Sequence, residues 1–580
     1  MKPFLRAVLV ALLAVCAGCV SIPTSGPVVS ESRRVVDENQ GGITIVAEPP
    51  PQGAVPANII RGFLTAMTAY GSDYAMARMY LTAQAGQTWS PESSVVIYSN
   101  TTTPQATDNQ WTMTGSRIGY LRPDGSFVSD PEPNWRLDLG LVQEDGQWRI
   151  STPPEGVAVS QYMLNQSFTR ATVYFFPESG STLVPDTRYI QVGQWNMTKA
   201  AQLVLDGPST WLSGIVASTT SANVSLNGEV VVSDQGVASI PLTCDLGRFS
   251  MDEATSLAIE MAATMSELGD LTRIRLLCDE RPVPLAGAAA DGSIPVSAVE
   301  AYYPTAGAGA DTLLAVRDQV LVAIDPAGES RPLSGNWGTT PRQITGFAAQ
   351  AANSQIAAVT AEGLLVGAAG GGVEPSMHWE TTDLLRPQYD QQANLWAMAS
   401  REGQVELQVF SARGAWSVDT TDLNGMIIKG FQVAPDGRRM VMIRQASATD
   451  PSSLELGVAL ITYESGHPAA IVDWRQIRLV RDETSLRSLI DVAWLGPSSL
   501  LVLGSTDPSA SAGLFSTDLD GLSMEEWGMR PDWSPVAMTV HPTATSARIV
   551  VLDADGMVWV YTNSDWIQDG DQVTAVVFPS

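Results

Sequence analysis

The first residues able to do chemistry stand near the amino terminus, in Cys16-Ala17-Gly18-Cys19. Two cysteines at this spacing could form a redox pair or supply half of a zinc site. A zinc site needs a second such pair, and the sequence offers only two further cysteines, Cys244 and Cys278, with 33 residues between them. A redox pair needs a βαβ surround, and the residues before Cys16 are of another kind. Lys2 and Arg6 give a positive start, and Ala7 to Ala14 is an apolar run of small and aliphatic side chains. That run is too short to cross a hydrocarbon layer of ~30 Å, which takes ~20 residues, but it has the length of a signal-peptide core. The chemistry left to Cys19 is acylation. A small pair, here Ala17-Gly18, precedes the cysteine at which lipoprotein leaders are cut, although Cys16 stands where leucine is usual. The expectation is a leader over residues 1–18, cleavage between Gly18 and Cys19, and S-diacylglycerol and N-acyl groups on Cys19. The covalent lipid is the sole expected cofactor, and it places the chain on the outer face of a cell membrane.

Other reactive constellations are weaker. His378, His467 and His541 are isolated from one another, and no H-E-x-x-H or G-x-S-x-G pattern occurs. His541 beside Pro542 reads as a solvated turn residue. Gly370-Gly371-Gly372 lacks the Lys-Ser/Thr of a phosphate-cradling loop. A carboxylate-pair hydrolase is the serious enzymatic alternative. The frame S-x-D-x-G-x-x-W is approached at Ser516-Thr517-Asp518-Leu519-Asp520, but Asp520 occupies the glycine position. No catalytic or metal site is expected, and the protein is read as not an enzyme.

Charge narrows the partners. Removing Lys2 and Arg6 with the leader takes 33 basic residues to 31, against 61 acidic ones, a formal −30. Such a polyanion repels nucleic acid and anionic lipid headgroups. In an oxidising compartment Cys244 and Cys278 are expected to pair, the alternative being two buried free thiols.

The elements that must carry these residues fall into units. Residues 19–56 are a tether punctuated by Pro23, Pro27, Pro49, Pro50, Pro51 and Pro56. Over residues 57–160, Ile60, Phe63, Leu64, Met67 and Tyr70 recur at helical spacing. A second helix follows through Met76, Met79 and Tyr80, then strands at Ser94–Tyr98, Gln110–Thr114 and Trp135–Val142, with a hairpin turn at Asp145-Gly146. Helices before a curved antiparallel sheet make an α+β unit similar to the NTF2-like class. Residues 165–287 read as strands at Thr172–Phe176 and Val184–Val192, a helix from Lys199 stopped by Gly207-Pro208, and an Asn227-Gly228 hairpin between Val224–Leu226 and Glu229–Ser233. Strands at Val237–Ile240 and Ile274–Leu277 flank a helix from Ser250 to Leu268, with Ser250 and Glu253 as capping box.

Residues 301–580 are strand and turn with a repeat. Phe431-Gln432-Val433-Ala434-Pro435-Asp436-Gly437 followed by Met440–Ile443 is its clearest copy. Equivalent positions Ala349, Tyr389, Val433, Trp494 and Val540 are spaced by 40, 44, 61 and 46 residues. Short strands at a period mostly in the forties indicate an all-β propeller, here of about six blades. Most of its tryptophans should be core, while Trp416 and Trp566 sit among polar residues, as contact residues for sugar or protein would.

The ordered set resembles the LpqB family of actinobacterial lipoproteins. The resemblance is carried by the lipid-attachment motif, the Pro-rich tether, the block Phe175-Phe176-Pro177-Glu178-Ser179-Gly180 with Leu183-Val184-Pro185-Asp186-Thr187-Arg188-Tyr189, and Leu205-Asp206-Gly207-Pro208. Within it, residues 167–285 look like a GerMN domain and the C-terminal repeat like that family's propeller. The resemblance implies an accessory role to the MtrA/MtrB two-component system, acting on the extracellular domain of an MtrB-like sensor kinase. It carries over no catalytic residue; only Cys19 transfers as a functional position. The competing expectation is a factor that binds or remodels envelope glycan.

Overall fold

The computed structural model of the protein describes residues 47–580, apart from 70–73, 108–109, 218–223, 304–311, 326–327, 351–353, 448, 482–483, 508–510, 530–532, 543–546, 563–564 and 571. Gly18, Cys19, the leader and most of the tether lie outside the described residues.

The N-terminal domain is α+β. The helix Pro56–Thr68 turns Ile59, Ile60, Phe63 and Met67 inward, the spacing that makes one face of a helix apolar. They meet a sheet in which Gln147–Thr152, Phe127–Glu144, Gln110–Leu121, Val95–Ser99 and Val157–Ser160 lie side by side. Along the long strand Phe127–Glu144, Trp135, Leu137, Leu139 and Leu141 alternate into the core. Asp145 and Gly146 take φ of 51° and 72°, the left-handed pair that a two-residue hairpin needs. The second expected helix is reduced to Ala75–Arg78, where Ala77 is buried and Met76 and Met79 are exposed.

The middle domain begins with an antiparallel hairpin of Phe168–Phe175 and Val184–Gln191. The helix Met197–Asp206 is capped at its start by Asn196, whose side chain accepts from Lys199 N at 2.9 Å. Gly207 ends it at φ 87°. The helix Met251–Met265 carries the Ser250–Glu253 capping box. It packs against the first hairpin strand with Leu257, Met261 and Met265 fully buried. Its polar residues Glu260 and Thr264 are buried too. They accept from the backbone N–H groups of Phe176 (2.8 Å) and Tyr174 (3.1 Å) along the unpaired edge of the hairpin. Buried N–H groups need acceptors, so this face of the helix supplies the missing ladder.

The expected Asn227-Gly228 hairpin does not form. Ser225–Leu226 and Val231–Val232 both pair with Val237–Thr243 rather than with each other. Asn227 N donates to Pro241 O at 2.9 Å, so Asn227-Gly228 interrupts a single edge that runs along one partner. Val237–Thr243 lies parallel to Arg273–Cys278, and a disulfide joins Cys244, just past the end of the first strand, to Cys278, the last residue of the second, with Cα atoms 5.7 Å apart.

Among the described residues the C-terminal domain holds six four-stranded antiparallel sheets and one short pair, Val480–Arg481 with Thr484–Ser485. The first strands of five of them are Gly346–Ala349, Gln388–Tyr389, Ile427–Val433, Ser488–Trp494 and Pro535–Pro542. The five equivalent positions of the repeat, Ala349 to Val540, lie in these strands, one in each. The sixth sheet takes Leu313–Arg317, Val320–Ile324 and Ser330–Pro332 from the start of the domain and Val573–Val577 from its end. Neighbouring sheets meet along their first strands, closing a ring of blades around an axis. The 61-residue interval belongs to the blade with the long strands Asp450–Glu464 and His467–Ile477. Leu460 and Val472 of those strands join the core of the middle domain. That extension is why the period breaks there: the extra length is a docking surface.

Two local expectations change. His541 is buried within Pro535–Pro542 and packs beside Phe578, with ring centroids 5.5 Å apart, and is not a solvated turn residue. Trp566 is buried edge-on against Trp533 at 4.7 Å. Trp416 is partly exposed and stacks on His467 at 4.1 Å.

Candidate functional site

The densest polar arrangement lies where the three domains meet. Arg170 and Tyr189 are directly opposed residues of the middle domain's hairpin, so their side chains share one face. Opposite them, Asp518 and Asp520 stand at the end of the blade strand Gly513–Asp518. Arg170 pairs with Asp518, and the Tyr189 hydroxyl donates to Asp520 Oδ2 at 2.7 Å. Asp518 also accepts from Ser523 Oγ, and Asp520 Oδ1 accepts from Leu522 N at 2.9 Å.

This clasp sets its own electrostatics. Burial pushes the Tyr189 phenol well above its ordinary value, and the Asp520 charge adds to that. Burial also raises the Asp520 carboxyl, with Asp518 adding repulsion and Arg170 opposing both. For Arg170 burial works the other way, but Asp518 and Asp520 outweigh it and hold the guanidinium charged. Asp520 keeps part of its surface open toward a cavity even though protein surrounds the carboxylate.

A second polar knot fastens the N-terminal domain. Arg188 is 1 % exposed and donates from Nε and Nη2 to Asp186 Oδ2 at 3.1 and 2.6 Å. It reaches Asp124 O of the N-terminal domain at 2.7 Å and Gly207 O at 3.1 Å. Asp186 also accepts from Ser209 N at 2.7 Å. Tyr189 N donates to Gly125 O at 2.8 Å. Gly125 sits at φ 80°, and a Cβ there would stand 2.9 Å from Tyr189 O, so a bare backbone is needed for this approach. Apolar packing follows the same seam: Ile97, Leu121 and Val159 of the first domain cluster with Tyr189 and Leu522. Arg438 lies over Tyr463 at 3.7 Å and donates to Ser179 Oγ at 3.2 Å, and Arg475 lies over Trp211 at 4.8 Å.

The seam encloses a cavity of about 370 Å³ whose wall includes Phe127 and Ser129 of the first domain, Asp186 and Trp211 of the second, and Trp474 and Arg475 of the propeller. A volume of this size is in the range of small-ligand sites. The propeller axis is bridged rather than open. Arg386 donates to Met538 O (3.0 Å) and Asp491 Oδ1 (3.0 Å), and Asp491 Oδ2 accepts from Met538 N at 2.8 Å. Arg386 thereby separates two smaller cavities of about 120 and 320 Å³ along the axis.

Asp518 and Asp520, compared in the sequence with a hydrolase turn, therefore face the middle domain as a docking pair. Sequence reasoning missed Arg170, Asp186, Arg188 and Tyr189 as a set. One signal was there: Asp186 and Arg188 alternate on one face of an otherwise apolar strand, which a buried strand tolerates only with partners. Cys244 and Cys278 lie away from the seam. Among the described residues no three His, Cys, Asp or Glu side chains gather as a metal site, and no helix is long and apolar enough to cross a membrane.

Comparison with known proteins adds to this geometry. Residues 49–165 match the family model described as Lipoprotein LpqB, N-terminal domain, and residues 320–579 match the Lipoprotein LpqB beta-propeller domain. Lipoprotein LpqB of Cutibacterium acnes is 26 % identical over 597 residues, covering 99 % of each chain. Lipoprotein LpqB of Streptomyces avermitilis is 24 % identical, covering 97 % of this chain and 96 % of the relative. A solved structure of the tandem GerMN domains of the sporulation protein GerM from Bacillus subtilis has 17 % identity and a TM-score of 0.17, covering 20 % of this chain and 40 % of that one. A likeness that slight has no bearing on the fold of the middle domain.

Proposed function

The chain belongs to the LpqB family of lipoproteins, and on that premise we propose that this extracytoplasmic lipoprotein is a non-catalytic accessory to a membrane sensor kinase. Cys19 holds it on the outer face of the cell membrane, and its folded body engages the extracellular domain of an MtrB-like kinase of the MtrA/MtrB pair, as the family resemblance implies. The observation that supports a binding role is the three-domain seam. Arg170–Asp518, Tyr189–Asp520 and Arg188–Asp124 hold two α+β domains and a propeller together. A body of this kind presents composite surfaces to a partner, and binding sites favour such domain junctions.

The test is crosslinking in cells that express the tagged protein, beside a Cys19→Ala strain. Recovery of one sensor-kinase ectodomain, dependent on Cys19, is the expected result. Recovery of wall fragments alone sinks the kinase reading and favours the envelope-glycan alternative.

A further inference from the structure

The cavity at the seam has an uneven wall. Three of its charged residues are committed within the protein. Asp186 is held by Arg188 and Ser209 N. Arg439 donates to Asp436 Oδ2 at 2.7 Å and also to Pro497 O. Asp520 is held by Tyr189 and Leu522 N.

What remains is a set of donors. Among the described residues Arg478, which lines the cavity, has no ion-pair or hydrogen-bond partner. Arg475 lies over the Trp211 ring and makes one ion pair, with Asp473 at 3.5 Å and open to solvent. The indole N–H groups of Trp211 and Trp474 are buried without an acceptor. Much of the remaining wall is apolar, with Phe127, Pro131, Pro185, Leu212, Val458 and Leu519. A second cavity of about 220 Å³ shares Phe127, Ser129, Pro131, Arg478 and Asp520 with the first, so the two meet beside Arg478 as an elongated cleft.

In a chain of formal charge −28, two lightly committed guanidiniums beside an apolar cleft are the opposite of the surface average. We propose that this cleft binds an organic anion, its carboxylate or phosphate held by Arg475 and Arg478 and its body lodged against Phe127, Pro131 and Leu519. Guanidinium matches both anions through paired N–H donors. Asp520 sets the orientation, because its carboxylate keeps the anionic end toward Arg475. Residues from all three domains line the cleft, so an occupant binds their assembled arrangement and stabilises it. An acidic wall sugar and a phospholipid headgroup both offer this chemistry.

The test uses the full lipidated chain in detergent micelles. It is titrated with N-acetylmuramate, with glycerol 3-phosphate and with neutral N-acetylglucosamine, and followed by tryptophan fluorescence and calorimetry. Saturable binding of an anionic probe, with the neutral sugar at least about ten-fold weaker, is expected, because a guanidinium–anion contact is charge-assisted. Arg475→Gln with Arg478→Gln should weaken binding at least about ten-fold, the melting temperature being measured beside it because Arg475 also lies over Trp211. Exposed Arg478→Gln alone gives the same reading should the double variant melt early. Muramate alone points to the wall and glycerol phosphate alone to a headgroup. Absence of binding by both anions, equal binding of the neutral sugar, or binding indifferent to the arginine substitutions overturns the proposal.

Discussion

The hydroxyl of Tyr189 and the carboxylate of Asp520 meet at 2.7 Å across the boundary between the middle domain and the propeller. The two residues are 331 positions apart in the chain, and each is fixed by its own domain first. Tyr189 is held by its own hairpin strand, and Asp520 by the turn that follows Gly513–Asp518. Their bond therefore reports whether two independently built surfaces are docked.

Removing it should loosen the seam without disturbing either domain. Tyr189→Phe should lower unfolding stability by about 1–3 kcal/mol, the cost of a buried acceptor losing its donor. Urea unfolding read by tryptophan fluorescence checks this, and an unchanged midpoint refutes it.

The same carboxylate makes docking sensitive to pH. A carboxyl whose folded pKa lies above its unfolded value binds its proton more tightly when folded. Its stabilising contribution is full below the unfolded value of about 3.9 and is lost as pH rises through the raised folded value. For Asp520 burial is the main cause of the rise and the Asp518 charge the next. The stability difference between wild type and Asp520→Asn should thus shift against wild type as pH rises above about 4. Paired unfolding curves across that range are the measurement, and a difference independent of pH is the contrary outcome.

Arg188 should be the least replaceable residue of the seam. Its guanidinium is buried with Asp186, and Arg188→Met leaves that carboxylate without its charge partner. A loss of about 3–5 kcal/mol is expected from breaking a buried pair on one side. Exchange of both residues together, Asp186→Leu with Arg188→Met, should recover part of it, which a double-mutant cycle of unfolding energies will show.

Cys244→Ser with Cys278→Ser opens the crosslink between two parallel strands. The loop it closes spans a sequence separation of 34, for which a loss of about 2–4 kcal/mol is expected. Because the bridge lies away from the seam, the pH dependence attributed to Asp520 should survive in this variant.

Cys19→Ala should move the protein from the membrane fraction to the soluble fraction, since no described helix can span a bilayer. Detergent phase partitioning of intact cells' extracts reads this directly. Retention in the detergent phase would mean that the uncut leader or another segment anchors the chain.

Much of the local structure was legible in the chain because it rests on short-range rules. The Ser250–Glu253 capping box, the stop at Gly207-Pro208 and the Asp145-Gly146 turn each depend on residues within a few positions. The propeller repeat was legible because Ala349, Tyr389, Val433, Trp494 and Val540 occupy one environment five times. Asn227-Gly228 misled for the same reason, since a local turn signal competed with a longer neighbour, Val237–Thr243, that could pair with both flanks. The seam was not legible. Arg170 and Asp518 are ordinary charges until two domains dock, and nothing near either residue in sequence names the other.

The sheet that shares Leu313–Arg317 with Val573–Val577 also orders events in time. A chain that folds as it emerges amino end first makes its two α+β domains while the ring is still missing a strand. The neighbouring Leu313–Arg317 then waits with one edge unpaired through some 250 residues of synthesis, and exposed strand edges invite pairing with other chains. The ring closes only once Val573–Val577 has joined that sheet. A polypeptide lacking Val573–Val577 would present an open edge on Leu313–Arg317.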